Sequence, residues 1–378
     1  MRYKSTYVLI LFMIICLLSA CNLYEKEPDL TSVPSTVVEL APTPTPKTNT
    51  KKIGISMPAQ THKYWELSGN RMRQLLEENG FEVDLQYADN DVALQAYQIE
   101  NMIKNDCKIL VIAPIDGRSL STTLSDAEEK NISVIAYRRF IWDTKAVTHY
   151  VAFDTWQAST IKGQYIIDQL YLEKNDGPFN IELFTGDPGD SNFCVTYGAL
   201  EVLQPYFDSG KLVCLSGQTM PIQIATEAWS TEKARERMEN LIETNNYGPN
   251  KTKLDAVLCI YDSLAQGVTQ ALLDAGYSAD NFPIITGEGC DIQSVKNIIS
   301  GTQSMSVFYA PNILADRAVQ MVISLSKGEE PIVNTTTTDY FSGRVIPTYI
   351  CDPAVVTKEN YRDILIESGY YTEEEIYH

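Results

Sequence analysis

The sequence predicts an α/β protein with two lobes, each built on a parallel sheet. Three observations support this prediction. Short β-branched runs alternate with longer amphipathic segments, and this alternation passes through a second cycle later in the chain. Such alternation is typical of parallel sheets covered by helices on both faces. The length of 378 residues is also more than one hydrophobic core usually organises.

Residues 1–20 are predicted to form a lipoprotein signal peptide. Arg2 and Lys4 precede the apolar run YVLILFMIICLLSA, which is too short to span a bilayer and suits a secretory signal. The run ends in LLSAC, which resembles a bacterial lipobox, so we expect Cys21 to be lipidated and to become the new amino terminus. An uncleaved anchor is the alternative, and either way the folded part is expected outside the cytoplasm.

Residues 21–51 are predicted to form an extended tether. This segment is rich in Pro, Thr and acidic residues and shows no apolar periodicity. We therefore expect the folded part to begin near Lys51, with the lipid on Cys21 as its attachment to the cell membrane.

The first cycle of the alternation predicts four strands separated by helices. In its second helix, Leu94, Ile99 and Met102 fall close to one stripe, as expected for a helix with a buried face. The predicted strands are KKIGISM, FEVDLQY, KILVIAP and ISVIAY. The predicted helices are YWELSGNRMRQLLEENG, VALQAYQIENMIKN and SLSTTLSDAEEKN.

The second cycle begins after the run HYVAFD. Its predicted helices are ASTIKGQYIIDQLY, NFCVTYGALEVLQPYF, EKARERMENLIET and SLAQGVTQALLDAG. Its predicted strands are FNIELFT, KLVCLSG, LDAVLCI and PIITG. Two similar halves predict two Rossmann-like lobes with a cleft between them, and the elements from VKNIIS to RVIPTYI suffice to cross back and return.

Composition and motifs argue against several function classes. The formal net charge of −19 repels phosphate backbones, so no nucleic-acid partner is expected. His62, His149 and His378 are the only histidines, and the sequence contains no GxSxG, HExxH or P-loop motif. No group of Asp, His or Cys has the spacing of metal ligands. We therefore expect no enzyme activity, no cofactor and no metal.

Many collinear blocks of the chain resemble one known family. The blocks are LQYADND, QIENMI, LVIAPIDG, LQPYFDSGKLV, SGQ, ARERMENLI, QALLDAGY, VIPTYI and NYRDILIESGYYTEEEI. From Ile53 to His378 the sequence is similar to the type I periplasmic sugar-binding proteins of ABC importers, in particular the multiple-monosaccharide and xylose-binding group. The resemblance implies two lobes joined by three crossover strands, which close on one sugar and present the closed form to ABC permease subunits. We expect the protein to act as a monomer.

The resemblance also leads to expected domain boundaries. The hinge crossings are expected near residues 153–155, 287–291 and 331–335. The N-terminal lobe is expected to comprise residues 52–154 and 290–332, and the C-terminal lobe residues 155–289 and 333–378. Hinge closure needs two rigid lobes and few connecting segments, which this division supplies.

Two aromatic residues follow the first predicted strand. A sugar presents hydroxyl edges and C–H faces, so its pocket needs polar groups together with aromatic plates. Trp65 matches a tryptophan of the family, whereas Tyr64 stands where these proteins usually have an arginine at a position that contacts the ligand. We expect both residues to contact the ligand. The alternative is that both pack on their own helix.

Two arginines follow the strand ISVIAY. Open α/β sheets bind their ligands at the carboxyl ends of strands, which is where Arg138 and Arg139 lie. The family pattern implies an aspartate followed by an arginine, so Arg139 matches and Arg138 reverses a charge. Because arginine donates hydrogen bonds and accepts none, the pair favours an acceptor-rich or anionic ligand. The alternative is that Arg138 turns outward and pairs with Asp143.

The second lobe is expected to contribute two residues that match the family. Asn192, in the loop GDPGDSN, matches an asparagine that reaches the ligand, with Asp190 beside it. The alternative is a turn held by Gly and Asp alone. Trp229 matches the aromatic residue that stacks on the sugar face, and a core tryptophan is the alternative.

Four further candidate ligand-binding residues belong to motifs that depart from the family pattern. Tyr261 replaces an asparagine, and the adjacent Asp262 is expected to be a helix N-cap first and a ligand group second. Glu288 replaces a glutamine, and Gly289 follows in place of a hydroxyl-binding aspartate. Glu288 is expected either to line the pocket or to cap the hinge. Tyr309 stands where a polar or basic residue is more usual.

These residues predict an extracytoplasmic solute-binding lipoprotein. We expect it to capture a monosaccharide, or a modified or acidic sugar, by hinge closure and to deliver it to an ABC permease. The alternative is a sensory binding protein that presents its ligand-closed form to a membrane receptor or histidine kinase. The departures leave the identity of the sugar open, because one misfit hydrogen bond costs about 1 to 3 kcal/mol.

Overall fold

The computed structural model describes residues 51–188 and 196–378. The predicted signal peptide, the predicted lipidation site at Cys21 and nearly all of the predicted tether lie outside the described residues, as does Asn192. Within the described ranges, no helix is both long enough and apolar enough to cross a membrane.

Strands and helices alternate through most of the described chain, as predicted. The strands are β1 (Lys52–Met57), β2 (Glu82–Tyr87), β3 (Ile109–Ile112), β4 (Ser133–Tyr137), β5 (Val147–Phe153), β6 (Phe179–Phe184), β7 (Leu212–Val213), β8 (Ala256–Cys259), β9 (Ile284–Ile285), β10 (Ser306–Phe308), β11 (Thr335–Asp339), β12 (Arg344–Cys351) and β13 (Ala354–Val356). The helices are α1 (Lys63–Glu78), α2 (Val92–Lys104), α3 (Ser125–Glu129), α4 (Thr155–Gln169), α5 (Thr196–Asp208), α6 (Thr231–Thr244), α7 (Asp262–Asp274), α8 (Ile292–Ser300), α9 (Pro311–Lys327) and α10 (Glu373–Tyr377).

The first sheet has seven strands in the order β11-β12-β5-β4-β3-β1-β2. Neighbouring strands are parallel except for the antiparallel pair β11 and β12. Side chains alternate between the two faces of a strand, so Val111 of β3 packs with α1 and α9, whereas Leu110 and Ile112 pack with α2. Both faces are buried, which explains the continuous apolar runs of the central strands.

The second sheet has four parallel strands in the order β7-β6-β8-β9. Helices α4 and α5 cover one face, where Leu258 of β8 packs, and α6 and α7 cover the other face, where Val257 packs. The two sheets are separate, which confirms the predicted architecture of parallel-sheet lobes.

The last quarter of the chain departs from the predicted boundaries. The prediction places residues 333–378 in the second lobe, but β12 pairs in parallel with β5 of the first sheet, and β11 pairs with β12. That placement is wrong up to Cys351, because β12 covers an edge of β5 whose backbone groups would otherwise lack partners. The chain leaves the first sheet only after this residue, and β13 then pairs with β10. Helix α8, predicted in the first lobe, contacts α7 of the second lobe instead.

Candidate functional site

One half of the candidate site consists of residues that follow strands of the first sheet. Tyr64 and Trp65 lie at the start of α1, Arg138 and Arg139 follow β4, and Tyr309 precedes α9. The Arg138 guanidinium lies 4.2 Å from the centroid of the Tyr309 ring. The Arg139 guanidinium lies 5.2 Å from the centroid of the Trp65 ring. The structure therefore brings these five predicted residues into one cluster.

The backbone at Arg138 is strained. Its φ angle is +65°, and the N–H of Arg139 donates to the carbonyl of Tyr137 at 2.6 Å, which closes a three-residue turn. The N–H of Arg138 donates to the carbonyl of Val151 at 2.8 Å, so β5 holds the turn in place. A non-glycine residue in this conformation costs roughly 1 to 3 kcal/mol and is typical of ligand sites. Because of this turn, the Arg138 side chain packs on Tyr309 and the Arg139 side chain packs on Trp65.

Arg138 does not turn outward to Asp143. Both residues are described, and no ion pair joins them; the guanidinium packs instead on Tyr309 and lies 5.9 Å from the centroid of the Phe153 ring. Burial lowers the pKa of Arg138, but the surrounding tyrosines and Glu288 outweigh burial and raise its pKa. Arg138 is therefore a cation held among aromatic rings.

Tyr64 faces Arg138 in addition to packing on its own helix. Its ring meets the Trp65 ring edge-on, with centroids 4.9 Å apart. Burial raises the pKa of Tyr64 to about 12, an effect that the charge of Arg138 opposes. The hydroxyl groups of Tyr64 and Tyr309 are buried without a hydrogen bond of good geometry in the part of the chain that the structure describes. Tyr64 lies beside Arg138, and Tyr309 lies beside Glu288.

The other half of the candidate site surrounds Trp229, on the second sheet. Trp229 ends a short 3-10 turn in which Ala228 and Trp229 have φ angles of +53° and +54°. The carboxylate of Asp187 accepts a hydrogen bond from the N–H of Ala228 at 2.8 Å and holds this turn. A Cβ atom on Gly186 would overlap the indole ring, so only glycine leaves room for it. The indole meets the Tyr261 ring edge-on, with centroids 4.6 Å apart.

Trp229 is half-buried and packs only partly on the core of the second lobe. The sequence does not single out Asp187, the first aspartate of the loop GDPGDSN, although Asn192 of the same loop is expected to reach the ligand. The positions of Asn192 and Asp190 in that loop lie outside the described residues.

A buried ion pair that the sequence does not predict lies between the two halves. Lys162, in α4, pairs through its Nζ with Oε2 of Glu288, and the two side chains are 1% and 6% exposed. The Lys162 Nζ lies 5.9 Å from the centroid of the Tyr261 ring, on the side of the second sheet. Burial raises the pKa of Tyr309, and Glu288 raises it further, which places the carboxylate beside the first half of the site as well.

Asp262 plays a different role from the predicted one. Tyr261 occupies the N-cap position of α7, without a capping hydrogen bond from its side chain. The Asp262 carboxylate accepts hydrogen bonds from the Ser306 hydroxyl at 2.9 Å, the Gln303 amide at 3.0 Å and the Asp291 N–H at 3.0 Å. The predicted N-cap is therefore wrong. With 1% of its surface exposed, Asp262 links α7 to the segments that flank α8.

The arrangement suits recognition of a small polyhydroxylated molecule. Trp65 and Trp229 offer apolar ring surfaces, Arg138 and Arg139 offer hydrogen-bond donors, and Glu288 offers an acceptor. Donors, an acceptor and ring faces together match the alternating hydroxyl edges and C–H faces of a sugar.

Comparison with known proteins places the chain among binding proteins. The family model for the periplasmic binding protein domain matches residues 53–330. The chain is 39% identical over 324 residues to the multiple sugar-binding periplasmic protein SbpA of Azospirillum brasilense, covering 85% of this chain and 90% of that protein. It is 40% identical over 327 residues to the multiple sugar-binding periplasmic receptor ChvE of Rhizobium radiobacter, covering 86% and 92%.

A solved structure shares the fold and much of the sequence. It is an ABC transporter solute-binding protein from Clostridium phytofermentans with bound β-D-glucose, 47% identical, with a TM-score of 0.71. The match covers 86% of this chain and all of that chain.

The substitution Gly186→Ala is expected to displace the Trp229 ring. Because the added Cβ atom overlaps the indole, ligand affinity should fall by roughly tenfold or more. Isothermal titration calorimetry checks this result. Gly248→Ala is the control, since its Cβ atom meets only the flexible Lys251 side chain, at 3.2 Å. Unchanged affinity in Gly186→Ala would contradict the role of Trp229.

The substitution Asp262→Asn is expected to change how stability depends on pH. Burial, followed by the charge of Asp291, raises the pKa of Asp262 from 3.8 to about 7. Because the folded-state pKa is raised, the protonated carboxyl stabilises the fold below about pH 4, and this contribution is lost as pH rises through 7. At about 1.4 kcal/mol per pKa unit, the change is on the order of 4 kcal/mol.

Urea unfolding of both proteins between pH 4 and 8 measures this change. The free energy of unfolding of the wild type, minus that of Asp262→Asn, should decrease as pH rises. Asp208→Asn, at an exposed aspartate at the end of α5, controls for the loss of one negative charge. A difference that is constant or increases with pH would show that Asp262 is ionised in the fold throughout.

Proposed function

This chain belongs to the periplasmic binding protein domain family, and we propose that it is an extracytoplasmic solute-binding protein of an ABC importer. It captures a monosaccharide by hinge closure and delivers it to the permease subunits. Curated relatives named for multiple sugar binding and a similar structure with bound glucose support a sugar as the ligand.

The observation that carries this proposal is a site divided between two sheets. Arg138 and Trp65 belong to the first sheet, and Trp229 belongs to the second. A ligand that contacts both halves gains contacts only when the halves approach each other. Its differential affinity for the closed form then shifts the population toward closure, which gives the permease a signal of occupancy.

The hinge lies where the chain passes from β5 to α4. Asp154 lies between them, and its carboxylate accepts a hydrogen bond from the Gln157 N–H at 2.8 Å, so α4 begins immediately after the crossing. Lys162 of this helix then meets Glu288, in the segment that precedes α8. Two passages of the chain are thereby tied together beside the candidate site.

The lipid anchor and the monomeric state are also proposals. Support for the anchor comes from the LLSAC sequence and from the Pro- and Thr-rich segment that follows it, which is long enough to hold the lobes away from the membrane. A monomer is consistent with a site to which one chain supplies every group described above.

We expect the protein to bind D-glucose in isothermal titration calorimetry, since a similar solved structure holds that sugar. Trp229→Ala should weaken binding by roughly tenfold to a hundredfold, because loss of a stacked aromatic side chain costs about 1 to 3 kcal/mol. Tyr97→Ala removes an exposed aromatic ring on α2 and should leave the affinity unchanged. Equal binding by the wild type and Trp229→Ala would contradict the proposed site.

The anchor is tested by metabolic labelling of expressing cells with an alkyne fatty acid. Cys21→Ala should abolish the label, because the thiol is the site of attachment. Cys16→Ala, within the apolar run, should retain both label and membrane association. Labelled protein in Cys21→Ala would refute the anchor without affecting the proposed ligand site.

A further inference from the structure

The C-terminal segment of the chain reaches the start of α1, which carries Tyr64 and Trp65 of the candidate site. We propose that Lys63 and Tyr371 are positioning residues for ligand binding. They hold the first turn of α1, and with it the two aromatic side chains, against the segment 287–291 that precedes α8. The inference rests on the proposed function, because it concerns the site at which the sugar is bound.

The start of α1 has no side-chain cap of its own. His62 occupies the N-cap position, and its side chain makes no capping hydrogen bond. The first N–H groups of a helix have no partner within the helix, so an uncapped first turn tends to fray. Tyr64 and Trp65 lie in this turn. Their positions therefore depend on what holds the turn from outside the helix.

Lys63, the first residue of α1, is held by the C-terminal segment through two contacts. Its Nζ donates a hydrogen bond to Oε1 of Glu375, in α10, and lies 4.6 Å from the centroid of the Tyr371 ring. The Lys63 and Glu375 side chains are 32% and 37% exposed, so water and salt screen this pair less than a fully exposed one. The hydrogen bond from Lys63 lowers the pKa of Glu375 below its usual value, so the carboxylate is ionised at neutral pH.

The C-terminal segment is itself held in place. Thr372 and Glu375 form a capping box at the start of α10, in which Oε2 of Glu375 accepts a hydrogen bond from the Thr372 N–H at 2.8 Å. One carboxylate thus closes the capping box with one oxygen and binds Lys63 with the other. Ile376 is buried in a cluster with residues of α8. Lys63 is therefore bonded to a group whose own position is fixed.

Tyr371 joins these contacts to the segment before α8. Its ring lies beside Lys63, and its hydroxyl donates to the carbonyl of Cys290 at 3.0 Å. Cys290 is buried and lies two residues after Glu288 of the candidate site. Leu67 of α1 packs against the apolar cluster that contains Tyr371 and Cys290. The start of α1, the C-terminal segment and the segment before α8 therefore meet at one place.

This arrangement links ligand affinity to the C-terminal segment. A ligand binds tightly only to molecules in which Tyr64 and Trp65 are in place, so its apparent affinity falls with the population of that conformation. The ammonium group of Lys63 is engaged with Glu375 and Tyr371. Lys63 therefore acts through the position of the two rings and not by contact with the ligand.

Isothermal titration calorimetry with D-glucose at pH 7 measures the effect. Lys63→Met and Glu375→Gln should each weaken binding by about three- to tenfold, because each removes the ion pair and Lys63→Met also removes the contact with the Tyr371 ring. Glutamine at position 375 preserves the capping box. The double variant should bind no more weakly than Lys63→Met, since the two residues act as one pair. Lys63→Arg keeps the cation and should bind within about twofold of the wild type.

A third variant and two controls complete the affinity measurements. Tyr371→Phe removes only the hydroxyl that bonds to Cys290 and should weaken binding by about threefold. Tyr277→Phe is its control, because that buried hydroxyl makes no hydrogen bond of good geometry in the described part of the chain. Lys104→Met breaks an exposed ion pair within α2 and is the control for Lys63→Met. Both controls should keep the wild-type affinity.

Hydrogen–deuterium exchange of the ligand-free protein tests the positioning directly. Backbone N–H groups of residues 62–72 should exchange about three- to tenfold faster in Lys63→Met and Glu375→Gln than in the wild type, because the first turn of α1 opens more often. Lys104→Met should leave this exchange unchanged. Thermal unfolding establishes which variants are folded. If neither Lys63→Met nor Glu375→Gln folds, affinity and exchange in Tyr371→Phe decide the proposal.

The outcomes separate this inference from the proposed function. Wild-type glucose affinity in folded Lys63→Met and Glu375→Gln overturns the inference and leaves sugar binding intact, even where thermal stability is lowered. A double variant that weakens binding by the full product of the two single effects refutes the pairing of Lys63 with Glu375. Failure of the wild type to bind glucose contradicts the proposed glucose binding. In that case the exchange measurement still decides whether Lys63 holds the first turn of α1.

Discussion

The candidate site depends on a buried ion pair beside the place where the chain passes between its two sheets. Removing Lys162 and Glu288 from water costs several kcal/mol for each charge, and only close pairing offsets that cost. Such a pair contributes little net stability, but loss of one partner leaves a buried charge unpaired. Its effect is therefore to fix the position of the Glu288 carboxylate. Asp262 accepts hydrogen bonds from neutral donors, and burial together with the charge of Asp291 raises its pKa to about 7.

The two halves of the site are held in place before a ligand binds. Arg138 and Trp229 both have positive φ angles, and the hydroxyls of Tyr64 and Tyr309 are buried without a hydrogen bond of good geometry in the described part of the chain. Neighbouring structure stabilises these conformations, because Val151 and the loop before Trp229 hold the two turns. Polar groups arranged in advance lose little conformational entropy when a sugar binds. Closure of the lobes thus adds contacts without reorganising either half.

The sequence predicts the fold well where the signal is local. β-branched runs predict the strands. The stripe at Leu94, Ile99 and Met102 predicts a buried helix face, on which Ile99 and Met102 are buried whereas Leu94 is exposed. The errors arise from long-range pairing. Nothing local in RVIPTYI indicates that β12 covers the edge of β5, and the N-cap pattern at Asp262 cannot reveal donors from Ser306 and Gln303, over forty positions away along the chain. The sequence does not predict that Lys162 is buried, because a lysine on a helix ordinarily faces solvent.

The ligand charge that the site favours depends on all of its charged side chains and not on the substitution at position 138 alone. Arg138 stands where the family resemblance implies an aspartate, and taken alone it favours an anionic ligand. In the structure, its guanidinium packs on the Tyr309 ring, and Glu288 contributes to its electrostatic surroundings. The anionic group absent at position 138 is therefore supplied from position 288, where the resemblance implies a neutral glutamine. Arg138 reverses a charge in one loop, and Glu288 adds a negative charge in another. The cleft therefore still combines arginine donors with a carboxylate acceptor.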